Sequence, residues 1–147
     1  MVKIRNFVRW IVISIRHFIL TRVYGMDISR SARVSFAVKL DKTNPHGVHI
    51  GEESFLASGS VVLTHDYCRN LHVDTYIGKR CFVGVNAIIM CGVRIGDNVV
   101  IGSGAVVTKD VPSHCMVAGN PARVIREGIN TVKFGQLDEQ QTTGKTE

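Results

Sequence analysis

The sequence predicts an all-β chain wound into a flat-sided coil, and three observations carry that reading. Aliphatic residues recur every six positions without a break at Ile77, Val83, Ile89, Ile95, Ile101 and Val107. Glycine follows the aliphatic at Gly78, Gly84, Gly96 and Gly102. The fourth residue after each aliphatic is small or branched: Cys81, Ala87, Val93, Val99, Ala105 and Val111. Neither a 3.6-residue helical period nor simple alternation produces a beat of six. A short strand plus a corner does, and three such units close a triangular turn with the aliphatics stacked inside.

The same register extends upstream through Ile50, Leu56 and Val62, with Gly51, Ser54 and Ser60, and more faintly through Ile28, Val34 and Leu40, with Ala32 and Val38. Twelve hexads make about four coils, a prism about 15 to 20 Å tall at the usual strand spacing. The ends of such a stack expose unpaired backbone and apolar side chains, so both need covers. Residues 1–25 are expected to supply one as a basic amphipathic helix. Over residues 4–24, Arg5, Arg9 and Arg16 fall within about 40° on a helical wheel, while Phe7, Ile11, Ile15 and Phe18 face elsewhere. That helix either caps the coil or makes peripheral contact with a membrane, and both readings stand. A spanning helix is disfavoured, because Arg9 and Arg16 interrupt any run of about 20 apolar residues. Gly119-Asn120-Pro121 marks the far end of the coil. The coil therefore occupies residues 26–127, and residues 128–147, rich in Gln, Thr, Gly and charge, are expected as a flexible tail.

Composition narrows the function classes. The chain has 147 residues, 45% hydrophobic and 20% charged, which fits one folded domain and excludes disorder. Of the net charge of +6, the first 24 residues carry +5 and the remainder +1. Basic residues interleaved with aromatics on one face are missing from residues 26–147, so nucleic-acid binding is not expected. Cys68, Cys81, Cys91 and Cys115 form no CxxC pair and no zinc-ribbon spacing, and the N-terminus lacks the uninterrupted apolar core of a signal peptide. A reduced, cytoplasmic chain is the expectation.

Chemistry is expected where the repeat breaks. From Leu40 to Ile50 the step is ten residues, and from Val62 to Ile77 it is fifteen, so two insertions leave the prism at corners. The second begins just after Thr64-His65-Asp66. Counting three hexads per coil puts those of Val62, Ile89 and Val107 in one column, with Thr108-Lys109 about 10 Å above His65. That span suits a long thin co-substrate lying along the axis, its reactive end near the histidine. Free imidazole titrates near neutrality and can take a proton from a hydroxyl. Asp66 is a candidate to orient it. Adjacent strand residues point to opposite faces, however, so a backbone carbonyl or another acid is an equal candidate.

The period resembles the hexapeptide-repeat family. The segments VLTHDY at 62–67, VVTKDVP at 106–112 and AGNPARVIR at 118–126 look like its galactoside and maltose O-acetyltransferase branch, whose short members include enzymes that modify bacterial surface polysaccharides. The resemblance implies a left-handed parallel β-helix, a handedness that spacing alone cannot show because parallel crossovers are normally right-handed. It implies acetyl-CoA as donor, a sugar or glycan hydroxyl as acceptor, and a homotrimer with each site between two subunits. His65 matches the family's catalytic base. Ser103, Thr108 and Lys109 match residues lining the CoA channel, and Arg123 and Arg126 match basic residues near its phosphates. Between Val34 and Gly47 the chain departs from the pattern, so no acceptor-binding residue is transferred. No metal is expected.

Two other function classes are open to this sequence. A zinc-dependent carbonic anhydrase-like enzyme on the same fold needs three converging histidines, for which His46, His49, His65 and His72 are the candidates. A noncatalytic β-helix interaction protein, such as an ice binder, needs a regular outward array that Thr64 and Thr108 alone do not make.

Overall fold

The computed structural model describes residues 1–142. Helix α1 (Val2–Phe18) runs into a π-helical turn at Ile19–Val23. The chain then forms β1 (Asp27–Ile28), β2 (Arg33–Val34) and β3 (Lys39–Leu40), followed by β4 (Val48–Ile50), β5 (Phe55–Leu56) and β6 (Val61–Val62). A hairpin of β7 (His65–Asp66) and β8 (Leu71–His72) leaves the coil. The winding resumes with β9 (Thr75–Ile77), β10 (Phe82–Val83), β11 (Ile88–Ile89), β12 (Arg94–Ile95), β13 (Val100–Ile101) and β14 (Val106–Val107). Strands β15 (Cys115–Ala118) and β16 (Arg123–Glu127) close the far end.

Successive strands enter three sheets in rotation. Strands β1, β4, β9 and β12 form the first sheet, β2, β5, β10, β13 and β15 the second, with β16 at its edge, and β3, β6, β11 and β14 the third. Pairing within these sheets is parallel except where β16 turns back on β15. The column arithmetic of the hexads is thus borne out: Leu40 pairs with Val62, Val62 with Ile89 and Ile89 with Val107. The aliphatics that set the beat point inward, with Leu56, Val62, Val83, Ile89 and Ile101 fully buried, and so are the corner residues Cys81, Ala87, Val99 and Ala105.

Glycine is required where consecutive coils touch. A Cβ added at Gly51 would fall on the carbonyl of Gly78, and one at Gly78 on the carbonyl of Gly96. Backbone cannot rotate out of the way as a side chain can, so a methyl here forces the coils apart.

The first end is covered. At the first end Leu20 and Met26 close the core, and the Arg16 guanidinium donates to the carbonyls of Ser35 (2.5 Å) and Val38 (3.0 Å). Burial lowers the Arg16 pKa from its ordinary value. The cap reading therefore holds for the C-terminal part of the helical segment, whereas every residue from Met1 to Trp10 is exposed. Among the described residues no helix is long and apolar enough to cross a membrane.

The expectation of a flexible tail over residues 128–147 fails for residues 129–138. Ile129 is fully buried and its N–H donates to the His114 carbonyl (3.0 Å). Thr131 donates its hydroxyl to the Arg80 carbonyl (2.6 Å), and the Phe134 N–H donates to the Glu53 carbonyl (2.7 Å). The segment descends the corner between the first and second sheets, where the left-handed turns at Glu53, Arg80, Asn98 and His114 leave acceptors that the coil itself does not use. Its composition is polar because its work is hydrogen bonding, and Ile129 supplies the apolar anchor. The last part of the expected tail, residues 143–147, lies outside the described residues.

Gly78→Ala is expected to destabilise the fold by about 2 kcal/mol or more through backbone overlap. Gly104→Ala, at φ 70° with nothing within 4 Å of the new methyl, is expected to cost about 1 kcal/mol from conformation alone. Denaturant unfolding of the two variants checks the order, and equal losses would contradict the close-contact argument.

Candidate active site

Both insertions leave the prism at one edge, where the third sheet hands over to the first, and they lie one above the other. Residues 41–47 follow β3 and contain a 3-10 turn at Pro45–Gly47; residues 63–74 follow β6 and contain the β7–β8 hairpin. The two loops hold each other. Thr64, fully buried, donates its hydroxyl to the Asn44 carbonyl (2.6 Å), and the Asn44 side-chain amide donates to the Thr64 carbonyl (3.1 Å). Thr75, also buried, donates to the Leu63 carbonyl (2.6 Å) and tethers the start of the second loop.

At the centre of this clasp is Asp41, a buried carboxylate that sequence reasoning missed. Its Oδ2 accepts the backbone N–H groups of Thr64 (2.9 Å) and His65 (3.0 Å), and Oδ1 accepts that of Thr43 (2.9 Å). Oδ2 also meets Nδ1 of the His65 ring. Burial pushes the Asp41 carboxyl up. The N–H donors of Thr64, the His65 ring and Thr43, together with the imidazole charge, outweigh that effect and hold it at about 2. An ionised carboxylate only accepts hydrogen bonds, so the nitrogen that meets it, Nδ1, carries a proton, and Nε2 is the ring nitrogen turned away from Asp41. The His65 side chain is 30% exposed. The ring is oriented and reachable from solvent, and in its neutral form, with the proton on Nδ1, it can accept a proton at Nε2.

Asp66, proposed from sequence as a candidate for orienting the ring, does not fill that role. Its carboxylate accepts the Arg69 Nε–H (2.6 Å) and the Arg69 backbone N–H (3.1 Å), contacts that shape the hairpin turn and lower its pKa. The alternation of a strand explains the outcome, since His65 and Asp66 project from opposite faces of β7. A signal for Asp41 existed in the sequence. It directly follows the inward Leu40, at the position held by glycine in the regular hexads, and it opens the insertion in the same column as Val62.

The co-substrate candidates are more dispersed. Thr108 and Lys109 are exposed just after β14, which stands above β11 and β6, so they share the edge of His65. Ser103, also exposed, follows β13 and lies at the opposite edge of the third sheet. Arg123 and Arg126 are exposed on β16, paired with Ala118 and Met116 at the top of the prism. One chain by itself does not gather all five. His72 stands across from His65 in the hairpin, with ring centroids 6.3 Å apart.

The histidines of the zinc alternative do not converge. Both His49 ring nitrogens are engaged on the outer surface of the first sheet, with Asp27 (2.9 Å) and Asp74 (3.1 Å), while Nδ1 of His65 is taken by Asp41. Among the described residues no group of three or more His, Cys, Asp or Glu side chains could hold a metal ion.

Comparison with known proteins gives a consistent picture. Residues 75–109 match the family described as the hexapeptide repeat of succinyl-transferase. The chain is 53% identical over 113 residues to a galactoside O-acetyltransferase of Escherichia coli strain K12, a match covering 71% of this chain and 56% of that protein. Among solved structures it resembles the polySia specific acetyltransferase NeuO, with TM-score 0.62 and 28% identity over 80% of this chain and 58% of the other. It also resembles a galactoside acetyltransferase in complex with coenzyme A, with TM-score 0.58 and 26% identity over 77% of this chain and 70% of the other. The chain spans between 32% and 67% of the length of curated relatives that it matches.

The depressed Asp41 carboxyl makes a prediction for acid stability. Because its folded pKa of about 2 lies below the ordinary 3.8, its hydrogen bonds stabilise the fold fully above that ordinary value and are lost as pH falls toward 2. The wild type is expected to exceed Asp41→Asn by about 2 kcal/mol at neutral pH, and the gap is expected to close on acidification. Urea unfolding across that pH range checks it; a gap independent of pH would contradict the charged state assigned here.

Proposed function

The chain belongs to the hexapeptide-repeat acetyltransferase family, and from that premise we propose that it transfers an acetyl group from acetyl-CoA to a sugar hydroxyl, with His65 as general base. The observation that carries this reading is the Asp41–His65 pair, which leaves Nε2 able to accept a proton at a solvent-accessible edge.

A protonated hydroxyl is a poor nucleophile, so its proton must leave as it attacks. His65 Nε2 takes that proton while the acceptor oxygen bonds to the thioester carbonyl carbon. Asp41 stabilises the resulting imidazolium through Nδ1–H without itself becoming protonated. The C–S bond then breaks, and the imidazolium returns the proton to the departing CoA sulfur. The acyl group never resides on the protein. Every step uses one imidazole and one carboxylate, which is the chemistry this edge holds.

Acetyl-CoA as donor is supported by the coenzyme A-bound relative, and a sugar acceptor by the galactoside acetyltransferases. The polySia specific relative supports an acceptor within a polysaccharide, which would give this protein a part in surface-polysaccharide biosynthesis. We assign Thr108 and Lys109 to the CoA channel above His65. Ser103, Arg123 and Arg126 would complete that channel from a neighbouring copy in a homotrimer with sites between subunits. The fold proposed for each copy is a left-handed β-helix of about four coils. All four cysteines are unpaired, which supports a reducing cytoplasmic compartment.

The test is an acceptor screen with acetyl-CoA across galactosides, maltose and sialic acid polymers. His65→Ala is expected to lower kcat by about 10² to 10⁴-fold, and Asp41→Asn by at least about 10²-fold, on whichever acceptor the wild type uses. Turnover by His65→Ala comparable to wild type would remove the proposed base.

A further inference from the structure

We propose that α1 and the adjoining end of the prism form a docking surface for an anionic lipid bilayer. Two independent observations carry this inference, one of charge and one of apolar exposure.

Charge is distributed very unevenly along the chain. Residues 1–42 contain nine Lys and Arg against two Asp, for a net +7, whereas residues 43–147 contain nine against ten acids, for a net −1. Of the two acids in the first stretch, Asp41 is buried in the site described above. Lys3, Arg5, Arg9, Arg30 and Lys42 are all exposed. The prism thus has one strongly cationic end. An anionic membrane surface attracts such a cluster over a Debye length, each added Lys or Arg strengthening binding several-fold.

The helix turns its apolar side away from the coil. Arg16 and Leu20 face the prism, and Arg16 is committed to backbone carbonyls there. On a wheel of 100° per residue, Ile4, Phe7, Val8 and Phe18 fall within an arc of about 100° centred well away from Arg16. They are exposed by 69%, 61%, 52% and 59%. Trp10 is exposed by 64% beside them. A folded monomer rarely leaves such a stripe in water. A helix with this pattern, too short and too charged to span, lies in the plane of the interface with its apolar arc among the acyl chains.

The charge also selects between occupants. Packing α1 against the same helix of a second copy would bring together cationic segments whose first 24 residues contain no acid to neutralise them. A phosphate-bearing lipid surface supplies both the counter-charge and the apolar phase. A free polyanion supplies only the first.

The chain's single tryptophan, Trp10, provides the readout. The full chain is titrated with vesicles of phosphatidylcholine alone and of phosphatidylcholine mixed with phosphatidylglycerol. The expected result is co-sedimentation with the mixed vesicles, a blue shift of Trp10 emission, and binding at least about tenfold weaker for the neutral vesicles. The double variant Ile4→Ser, Phe7→Ser is expected to weaken partition about tenfold or more, and Lys3→Gln, Arg5→Gln to do the same. Those four side chains are exposed, so the melting temperature should be unchanged. The proposal is overturned if the wild type fails to bind mixed vesicles at low salt, or if it binds them without a shift in Trp10 emission. It is equally overturned if the apolar variant keeps full vesicle affinity, or changes the oligomer mass in its place.

Discussion

One geometric demand organises this protein: parallel strands bonded coil to coil, about 4.8 Å apart, set each side chain directly above its equivalent in the coil below. Every column must therefore repeat its chemistry. Inward positions stack aliphatics such as Leu40, Val62, Ile89 and Val107. Where carbonyls of one coil approach the Cα of the next, only glycine fits, as at Gly51 and Gly78. Interruptions are tolerated at corners alone, because a residue inserted in mid-strand would move every later side chain to the wrong face.

The active-site candidate is built from two such interruptions at one edge. Each loop alone would be a flexible excursion from a rigid scaffold. Held together by Asn44 and Thr64, and by a carboxylate that collects three backbone N–H groups, they become a fixed platform. Asp41 serves the fold and the imidazole with the same atoms. Burying a charge without partners would be costly, and the converging N–H donors are what make the position tenable. The tautomer of His65 is a by-product of the interaction that joins the loops.

The first end of the prism and one of its corners solve the same problem by different means. Unpaired acceptors at the first end are met by Arg16, a single long side chain carrying several donors. Along the corner between the first and second sheets, acceptors are met by the extended segment of residues 129–138, using backbone N–H groups and the Thr131 hydroxyl. Using Arg16 as the cap turns the basic side of α1 inward near its C-terminal end. The apolar side is then left outward, and this inversion is what gives the cationic end of the molecule its exposed hydrophobic ridge.

Much of this was legible in the chain itself. The beat of six, the strand columns and the corner location of both insertions follow from local spacing, since stacking makes the fold periodic along the sequence. The branch of relatives was legible from short motifs instead, and their resemblance, together with the break in the repeat, singled out His65 as a candidate base. What spacing could not show were contacts between segments that have no common period. Asp41 and His65 are 24 residues apart and meet only because two loops of different length leave neighbouring coils at one edge, whereas Asp66 stood beside the histidine and pointed away. Residues 129–138 have the composition of a loose tail, and only the row of free carbonyls down a corner makes them structure. The sequence by itself determined the repeating scaffold and singled out His65 as the candidate for its chemistry. The tertiary structure decided what holds that residue and which faces are left open, because these depend on distances between chain segments that only the completed winding brings together.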